Sequence, residues 1–552
     1  MENFSIFIGG QAGEGLKRGA LTIGKLFNRL GYYVFILDDY MSLIRGGQDY
    51  SEIRVSTNMV LSHQDIFDLM FAFHNDVYQI HKNKANKNCF CYLEKNEGGN
   101  IDFEGIIKEN KAPSFMKPSI VLGLIAYIFQ IPFNLIEEIL LDEFSDKASL
   151  NIVLAKKGYE IGQTYNLTQI KITIREKISL PLIYGNEAIG IGSVKAGMKL
   201  YAAYPITPSS TLLSFLARNS EKFKIIVLQP EDEISAIMMA IGSSYVGMPS
   251  MVGTSGAGID LMGEAISLAG GTEIPLVILD VQRPGPTTGV PTYTEQSDLN
   301  LILNVGHGEF PRIVIAPGDI SEAFDLTIKA FKYAWWYQTP VFILSDKHLS
   351  ESAHNINTEL ERKEKILIKN FIGESIYKRY LFTNDGISPL AFPGLEGIVN
   401  HTNSTEHTED GYSSSLPDDI VLMKRKRYQK KQTLQNDFEL EQTIKIFGNK
   451  ESKNIIVSFG STKGAITEAI IDLPVKFIQI LYLDPFPQKK LIETIGNGNQ
   501  KNIIVIEQNT YGQLSSLFES KTHLYVSHKI LKYDGRPFVP QKLRYEIEEV
   551  LI

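Results

Sequence analysis

The feature that most constrains this chain is a series of short apolar runs between residues 199 and 346: KLYAAYP, KIIVLQP, PSMVGTS, PLVILDVQ, PRIVIAP and PVFILSD. Each precedes a helical or turn segment. Near-continuous apolar strands alternating with helices build a parallel sheet covered on both faces, a doubly wound α/β fold. Ligands of such sheets collect at the carboxyl ends of the strands. Those ends carry Thr207 in PITPSS, Glu233 in PEDE, Thr254-Ser255-Gly256 in GTSGAG and Arg283 in VQRPGP. A hydroxyl, a carboxylate, a glycine turn and a guanidinium are therefore expected around one crevice. In YPITPSS, Pro205 and Pro208 fix φ and stiffen the strand-to-helix turn, so Thr207 is presented with little entropy left to lose on binding. Ser209 or Ser210 is expected to cap the following helix. Glu233 reads either as a functional carboxylate or as one of three acids after Pro230 that suit the first turn of a helix.

The rest of the chain organises around this block. With 552 residues the chain exceeds one core and divides into about three or four domains. Up to residue 180, FSIFIGG enters GGQAGEG, a helical stretch follows, and YYVFILDD reads as the next strand, a βαβ unit. Gly10, Gly13 and Gly15 give G-x-x-G-x-G, the reverse of the dinucleotide fingerprint. The loop suits either close approach of a backbone or anionic group to a helix N-terminus, or a ligand-free tight turn. Residues 186–350 form the doubly wound domain. Residues 351–450, rich in charge and turn signals and ending in KRKRYQKK, read as an irregular charged connection, with the basic run a solvated helix face or a subunit contact. Residues 451–552 return to βα alternation through NIIVSFG, KFIQILYL and NIIVIE.

Composition excludes several classes of function. An apolar fraction of 43% and a charged fraction of 21% suit a globular protein, and no apolar run reaches the roughly 18 residues of a membrane span. The net charge of −8 offers no general attraction to nucleic acid. The start, MENFSIFIGG, lacks a basic n-region, so a cytoplasmic location is expected. Cys89 and Cys91 are the only cysteines. Their spacing is too close for an ordinary disulfide, and two thiolates fall short of the roughly four ligands of an iron–sulfur cluster or structural zinc.

Taken together, GGQAGEG and SLIRGG, YPITPSS, EDEISAI, GTSGAGIDLMGEAISLAGGTEIP, QRPGPTTGVPTYTEQSDL, LDPFP and EQNTYGQL resemble the α subunit of 2-oxoacid:ferredoxin oxidoreductases, in the form with a γ-type domain fused at the N-terminus. The resemblance covers nearly the whole length. It implies a γ-type α/β domain, a pyrimidine-binding thiamine diphosphate domain and a C-terminal domain like that of transketolases. It implies oxidative decarboxylation of a 2-oxoacid, 2-oxoglutarate or a broad range, to acyl-CoA and CO2 with reduction of ferredoxin. No GDG diphosphate motif occurs in the chain. Thiamine diphosphate would therefore be shared with a β subunit that holds Mg2+ and a [4Fe–4S] cluster, coenzyme A entering as co-substrate.

The resemblance also assigns residues. Glu233 matches the glutamate that hydrogen-bonds the aminopyrimidine N1′, with Tyr204, Pro205 and Ile206 on the cofactor side. Thr207 contacts substrate, Arg283 holds its carboxylate through a guanidinium fork, and Thr292 lines the side-chain pocket. A buried structural ion pair is the alternative for Arg283. Arg45 falls where the family carries a cation near the entrance, or is a surface arginine beside a Gly-Gly turn. Glu295, Gln296 and Asp298 organise the loop and carry no chemistry. The chain departs from the family pattern at Ala257, where proline is typical, at Asp260, usually a small polar residue, and at Gln48, commonly histidine. Related arylpyruvate or oxalate enzymes, or a degenerate scaffold subunit, are the competing functions.

Overall fold

The computed structural model describes residues 3–41, 46–175, 180–356, 360, 366–372, 376–496 and 502–551. The chain divides into two compact units. One runs to Tyr184 and takes in the segments around Ser352–Asn355 and Val539–Leu543; the other begins at Gly185 and holds most of the remainder.

The first unit is built on a seven-stranded sheet in the order Ala85–Leu93, Phe67–Ala72, Asn3–Ala12, Gly46–Ser56, Tyr33–Asp39, Ser352–Asn355, Leu182–Tyr184. The first and second strands of the expected βαβ unit are present, but Gly46–Ser56 lies between them and runs antiparallel to both. The helix Leu16–Arg29 buries Ala20, Ile23, Leu26 and Phe27 along one face. At its start the glycine loop has a specific reason for its composition. Gly15 has φ 76°, and a Cβ there would stand 2.1 Å from the carbonyl oxygen of Phe115. The anionic group at this loop is the chain's own: the Glu14 carboxylate accepts from the Gln11 amide at 2.8 Å, meets Lys117 Nζ at 2.5 Å and His74 Nε2 at 3.1 Å. Burial pushes the Glu14 pKa up, yet its hydrogen bonds to His74, Lys117 and Gln11 outweigh this and bring it down to about 2.

The second unit holds two sheets. One, in the order Tyr482–Asp484, Ile313–Ile315, Pro340–Asp346, Leu276–Gln282, Ser250–Thr254, Leu200–Ala202, Ile226–Leu228, is parallel except for Tyr482–Asp484. Its strands are apolar on both faces, Val277, Ile278, Leu279 and Val281 all being fully buried, as covered parallel strands must be. The other sheet orders Ile444–Gly448, Lys476–Ile480, Asn454–Phe459, Asn502–Glu507, His528–Leu531. Tyr482–Asp484, read in sequence as the end of one long strand, instead crosses to the first of these sheets and pairs antiparallel with Ile313–Ile315.

The stretch 351–450 is not the irregular connection expected. It supplies the strand Ser352–Asn355 to the first unit and a 22-residue helix, Pro417–Phe438, to the second. The basic run lies on this helix and is split by its period: Lys426 and Lys430, one turn apart, share a face and are buried, while Lys424, Arg425 and Lys431 are exposed. Lys426 Nζ meets both oxygens of Glu273 at 2.7 and 2.6 Å, and Lys430 bonds the same carboxylate and the Gln338 carbonyl. A solvated face was the wrong expectation for these two lysines, because a buried acid from a distant loop was waiting for them.

Candidate functional site

The order of the parallel sheet defines where a ligand belongs. From Leu200–Ala202 the chain passes outward to the edge strand Ile226–Leu228, then returns to Ser250–Thr254 on the other side. The switch point lies between Leu200–Ala202 and Ser250–Thr254, and a crevice opens at the carboxyl ends of strands on either side of such a point. Four adjacent strands deliver the candidate residues to this one edge: YPITP follows Leu200–Ala202, PEDE follows Ile226–Leu228, TSGAG follows Ser250–Thr254 and RPGP follows Leu276–Gln282.

Glu233 is the first residue of the helix Glu233–Tyr245, whose cap is its neighbour: Asp232 accepts from the Ser235 amide at 2.7 Å. The capping work is therefore done by Asp232, and the Glu233 side chain is free of it. Glu233 is only 6% exposed and its carboxylate has no hydrogen-bond partner among the described residues. It lies over the glycine turn, since a Cβ on Gly258 would come within 2.8 Å of Glu233 Cγ, 2.9 Å of Oε1 and 2.0 Å of Thr254 Oγ1. Only glycine leaves room for that carboxylate. A buried acceptor without a donor costs free energy unless something else supplies the donor.

Arg283 is 8% exposed and donates from Nη1 to the backbone carbonyl of Thr207 at 2.6 Å. The turn before the helix Ser210–Arg218 and the end of strand Leu276–Gln282 are thus joined by this guanidinium. Arg283 makes no ion pair among the described residues, so the structural pair considered above is not what occupies it. Burial lowers its pKa and the nearby Asp298 opposes the shift. The other anchor of the turn is Asn186, buried at the start of the helix Gly185–Lys195, which donates to the Pro208 carbonyl at 3.0 Å and to Thr211 Oγ1 at 2.6 Å. Neither Ser209 nor Ser210 caps the helix with its side chain; Asn186 holds that turn instead. Tyr204 and Pro205 are exposed, Ile206 and Thr207 half-buried.

Beyond Arg283 the loop closes on itself, the Val290 amide bonding the Pro284 carbonyl at 3.0 Å, and Thr292 follows, 4% exposed. The next residues are stitched to the second sheet of this unit. Gln296 donates to the Phe459 carbonyl at 3.1 Å and its amide bonds the Gln508 carbonyl at 2.6 Å. Asp298 presses on the start of the helix Gly256–Gly271, where a Cβ on Gly256 would stand 2.6 Å from its Oδ2. Burial, then Asp260 and Glu295, raise the Asp298 pKa to about 7 against the pull of Arg283. Below it Asp280, fully buried in an apolar strand with neither carboxylate oxygen partnered, is pushed well above the usual range by burial and by Asp298.

Arg45 lies outside the described residues. Gln48, in the first unit, donates to Asp76 Oδ2 at 3.1 Å. Asn186, Asp280 and the titration of Asp298 were not singled out from sequence. The signal for Asp280 was available, an acid inside LVILDVQ, and so was that for Asn186, a polar residue one glycine after the apolar LIY. Among the described residues no group of three or more His, Cys, Asp or Glu could hold a metal ion, and no helix is long and apolar enough to cross a membrane.

Known proteins are similar to this chain in sequence and fold. The family model described as "Pyruvate flavodoxin/ferredoxin oxidoreductase, thiamine diP-bdg" matches residues 191–425, and that described as "Pyruvate ferredoxin/flavodoxin oxidoreductase" matches residues 5–161. The α subunit of a 2-oxoacid:ferredoxin oxidoreductase from Sulfolobus sp is 32% identical over 99% of this chain and 96% of its own. The 2-oxoglutarate synthase subunit KorA of Methanocaldococcus jannaschii is 33% identical over 60% of this chain and 89% of its own. The structure of the 2-oxoglutarate:ferredoxin oxidoreductase from Magnetococcus marinus, with 2-oxoglutarate, coenzyme A and succinyl-CoA bound, superposes with a TM-score of 0.90 at 29% identity, covering all of both chains.

Proposed function

The chain belongs to the family of 2-oxoacid:ferredoxin oxidoreductase α subunits, and from that premise we propose that it forms the aminopyrimidine side of a thiamine diphosphate site that oxidatively decarboxylates a 2-oxoacid to acyl-CoA and CO2. The observation that carries this reading is Glu233, a buried carboxylate without a partner at the switch point of the sheet. Such an acceptor fits a ring nitrogen that arrives carrying a proton. When bound, thiamine diphosphate supplies the nucleophile that attacks the keto carbon and the electron sink that follows loss of CO2. Glu233 accepts a hydrogen bond from N1′–H, keeps that proton on the ring and so sets the basicity of the pyrimidine amino group. Tyr204, Pro205 and Ile206 form the wall against which the ring packs.

Arg283 turns its free donors to the substrate carboxylate while Nη1 holds the Thr207 carbonyl. One guanidinium thus fixes both the substrate and the turn that presents the Thr207 hydroxyl to it. Thr292 faces the variable end of the substrate. The diphosphate, its Mg2+ and the [4Fe–4S] cluster belong to a β subunit, because this chain has neither a GDG motif nor more than two cysteines. Ferredoxin takes the electrons. The relatives named for 2-oxoglutarate make it the first substrate to try.

The test is a panel of 2-oxoacids offered to the chain purified together with its β subunit, in the presence of coenzyme A and a one-electron acceptor. Turnover of 2-oxoglutarate is expected; a complex that holds thiamine diphosphate yet reduces the acceptor with no 2-oxoacid would sink the proposal. The same panel reads the roles of two residues. Arg283→Ala is expected to lower kcat/KM by about tenfold to a hundredfold for every substrate, the worth of a charge-assisted hydrogen bond of about 1.5–3 kcal/mol. Thr292→Val is expected to re-rank the substrates instead. Unchanged kcat/KM in Arg283→Ala would leave the arginine with a purely structural role.

A further inference from the structure

The two cysteines belong to the first unit, on the edge strand Ala85–Leu93. Alternation along a strand puts residues two apart on one face, and here the faces are distinct. Phe90 and Tyr92 join the main core, while Cys89 and Cys91 pack with Phe7, Tyr50, Phe67, Met70 and Val77 on the other side. The two sulfurs are 3.9 Å apart. Met70, fully buried, pairs in register with Cys91 across the parallel ladder and so stands on the same face. Both cysteines are half-buried on an edge strand, which leaves a way in from solvent.

We propose that Cys89, Cys91 and Met70 form a binding site for a soft monovalent d10 cation of the Cu(I) class. Direct closure of a disulfide is opposed by the strand: alternate Cβ atoms of an extended chain stay roughly 6.5 Å apart, against about 3.8 Å in a disulfide. A bridging ion needs no such closure. With metal–sulfur bonds of about 2.3 Å, a separation of 3.9 Å gives an S–metal–S angle of about 116°, close to trigonal. The thioether of Met70 is a third ligand of the same softness, and thiolate with thioether selects Cu(I) over harder divalent ions. Two sulfurs and a thioether also fall short of the tetrahedral set that zinc prefers.

The protons balance simply. Cu(I) replaces two thiol protons, which leave to solvent, and the two thiolates with the ion carry a net charge of −1; no electron is transferred. Asp68, close enough to act on Cys89, is a hard carboxylate and no competitor for a soft ion.

Because the chain has no other cysteine, every thiol signal reports this pair. The full chain, titrated under argon with Cu(I) held by bicinchoninate, is expected to take one equivalent, to shield both thiols from a thiol-reactive dye, and to show thiolate-to-metal absorption in the near ultraviolet. Cys89→Ser and Cys91→Ser should each abolish stoichiometric uptake, and Met70→Leu should weaken it by about tenfold or more. Alkylating the unmutated chain with iodoacetamide removes the ligands without a substitution and should abolish uptake too. Uptake that survives alkylation, or a chain that cannot draw Cu(I) from bicinchoninate at all, would overturn the site.

Discussion

Glu233→Gln is expected to lower 2-oxoacid turnover by about 10²–10⁴-fold, the usual loss when a proton-transfer group is removed, while the chain stays folded and paired with its β subunit. Glutamine keeps the size and polarity of the side chain but cannot hold the charge that steadies a proton at N1′. The structure separates helix capping from this proposed role. Asp232, not Glu233, caps the helix through the Ser235 amide, so Glu233 contributes at most a dipole interaction of about 0.3–1 kcal/mol. Exchange of the C2 proton of bound thiamine diphosphate for deuterium should slow together with turnover. If exchange stays near normal, the residue is an acid at the start of a helix and nothing more.

The second large effect is on stability. Glu273→Gln is expected to cost about 3–5 kcal/mol, the loss seen when one partner of a buried ion pair is removed, because Lys426 and Lys430 are 0% and 1% exposed and share that carboxylate. Burial already lowers Lys426 to about 7, partly countered by Glu273, and burial likewise lowers Lys430. Without the acid both lysines are driven further toward the neutral form when folded, while the unfolded chain keeps them protonated up to about pH 10.4. The unfolded state then binds more protons across that window, so stability rises with pH. The deficit of the variant should be largest at and below neutrality and shrink toward alkaline pH. Both tryptophans, Trp335 and Trp336, belong to the helix Ile320–Tyr337 of the same unit, so the unfolding of that unit can be followed by their fluorescence. A variant within about 0.5 kcal/mol of its parent, the range of ordinary surface changes, would show that the lysines are not held by this acid. Replacing all three residues by apolar ones of similar volume should recover most of the loss.

What could be read in sequence followed from how each element is stabilised. Strands such as Leu276–Gln282 and Pro340–Asp346 are buried on both faces and announce themselves as unbroken apolar runs, and the residues at their ends followed directly. The helix Pro417–Phe438 was hidden because its buried stripe of Met423, Lys426, Lys430, Leu434 and Phe438 is interrupted by two lysines, which pass for surface residues until Glu273 is known to bond them. KFIQILYLD conceals the boundary between Lys476–Ile480 and Tyr482–Asp484, since residues on both sides of the break are apolar and only the pairing partners differ. At the site, Glu233 and Arg283 stood out by position, whereas the raised Asp298 depends first on burial and then on Asp260 and Glu295, and neither burial nor the approach of Asp260 from another element leaves a local pattern.

The exchange of strands between distant parts of the chain has a consequence for the order of events during synthesis. Ile313–Ile315 pairs on one side with Tyr482–Asp484, which leaves the ribosome long after it, and Tyr33–Asp39 waits in the same way for Ser352–Asn355. At about 5–20 residues per second, each nascent sheet spends on the order of ten seconds or more with a strand edge unpaired. Such an edge is a template for another copy of the same chain, so crowded polysomes translating this message run the risk of joining neighbouring nascent chains edge to edge, and a chaperone that shields Ile313–Ile315 until its late partner emerges would raise the yield of the full-length chain more than one acting after release.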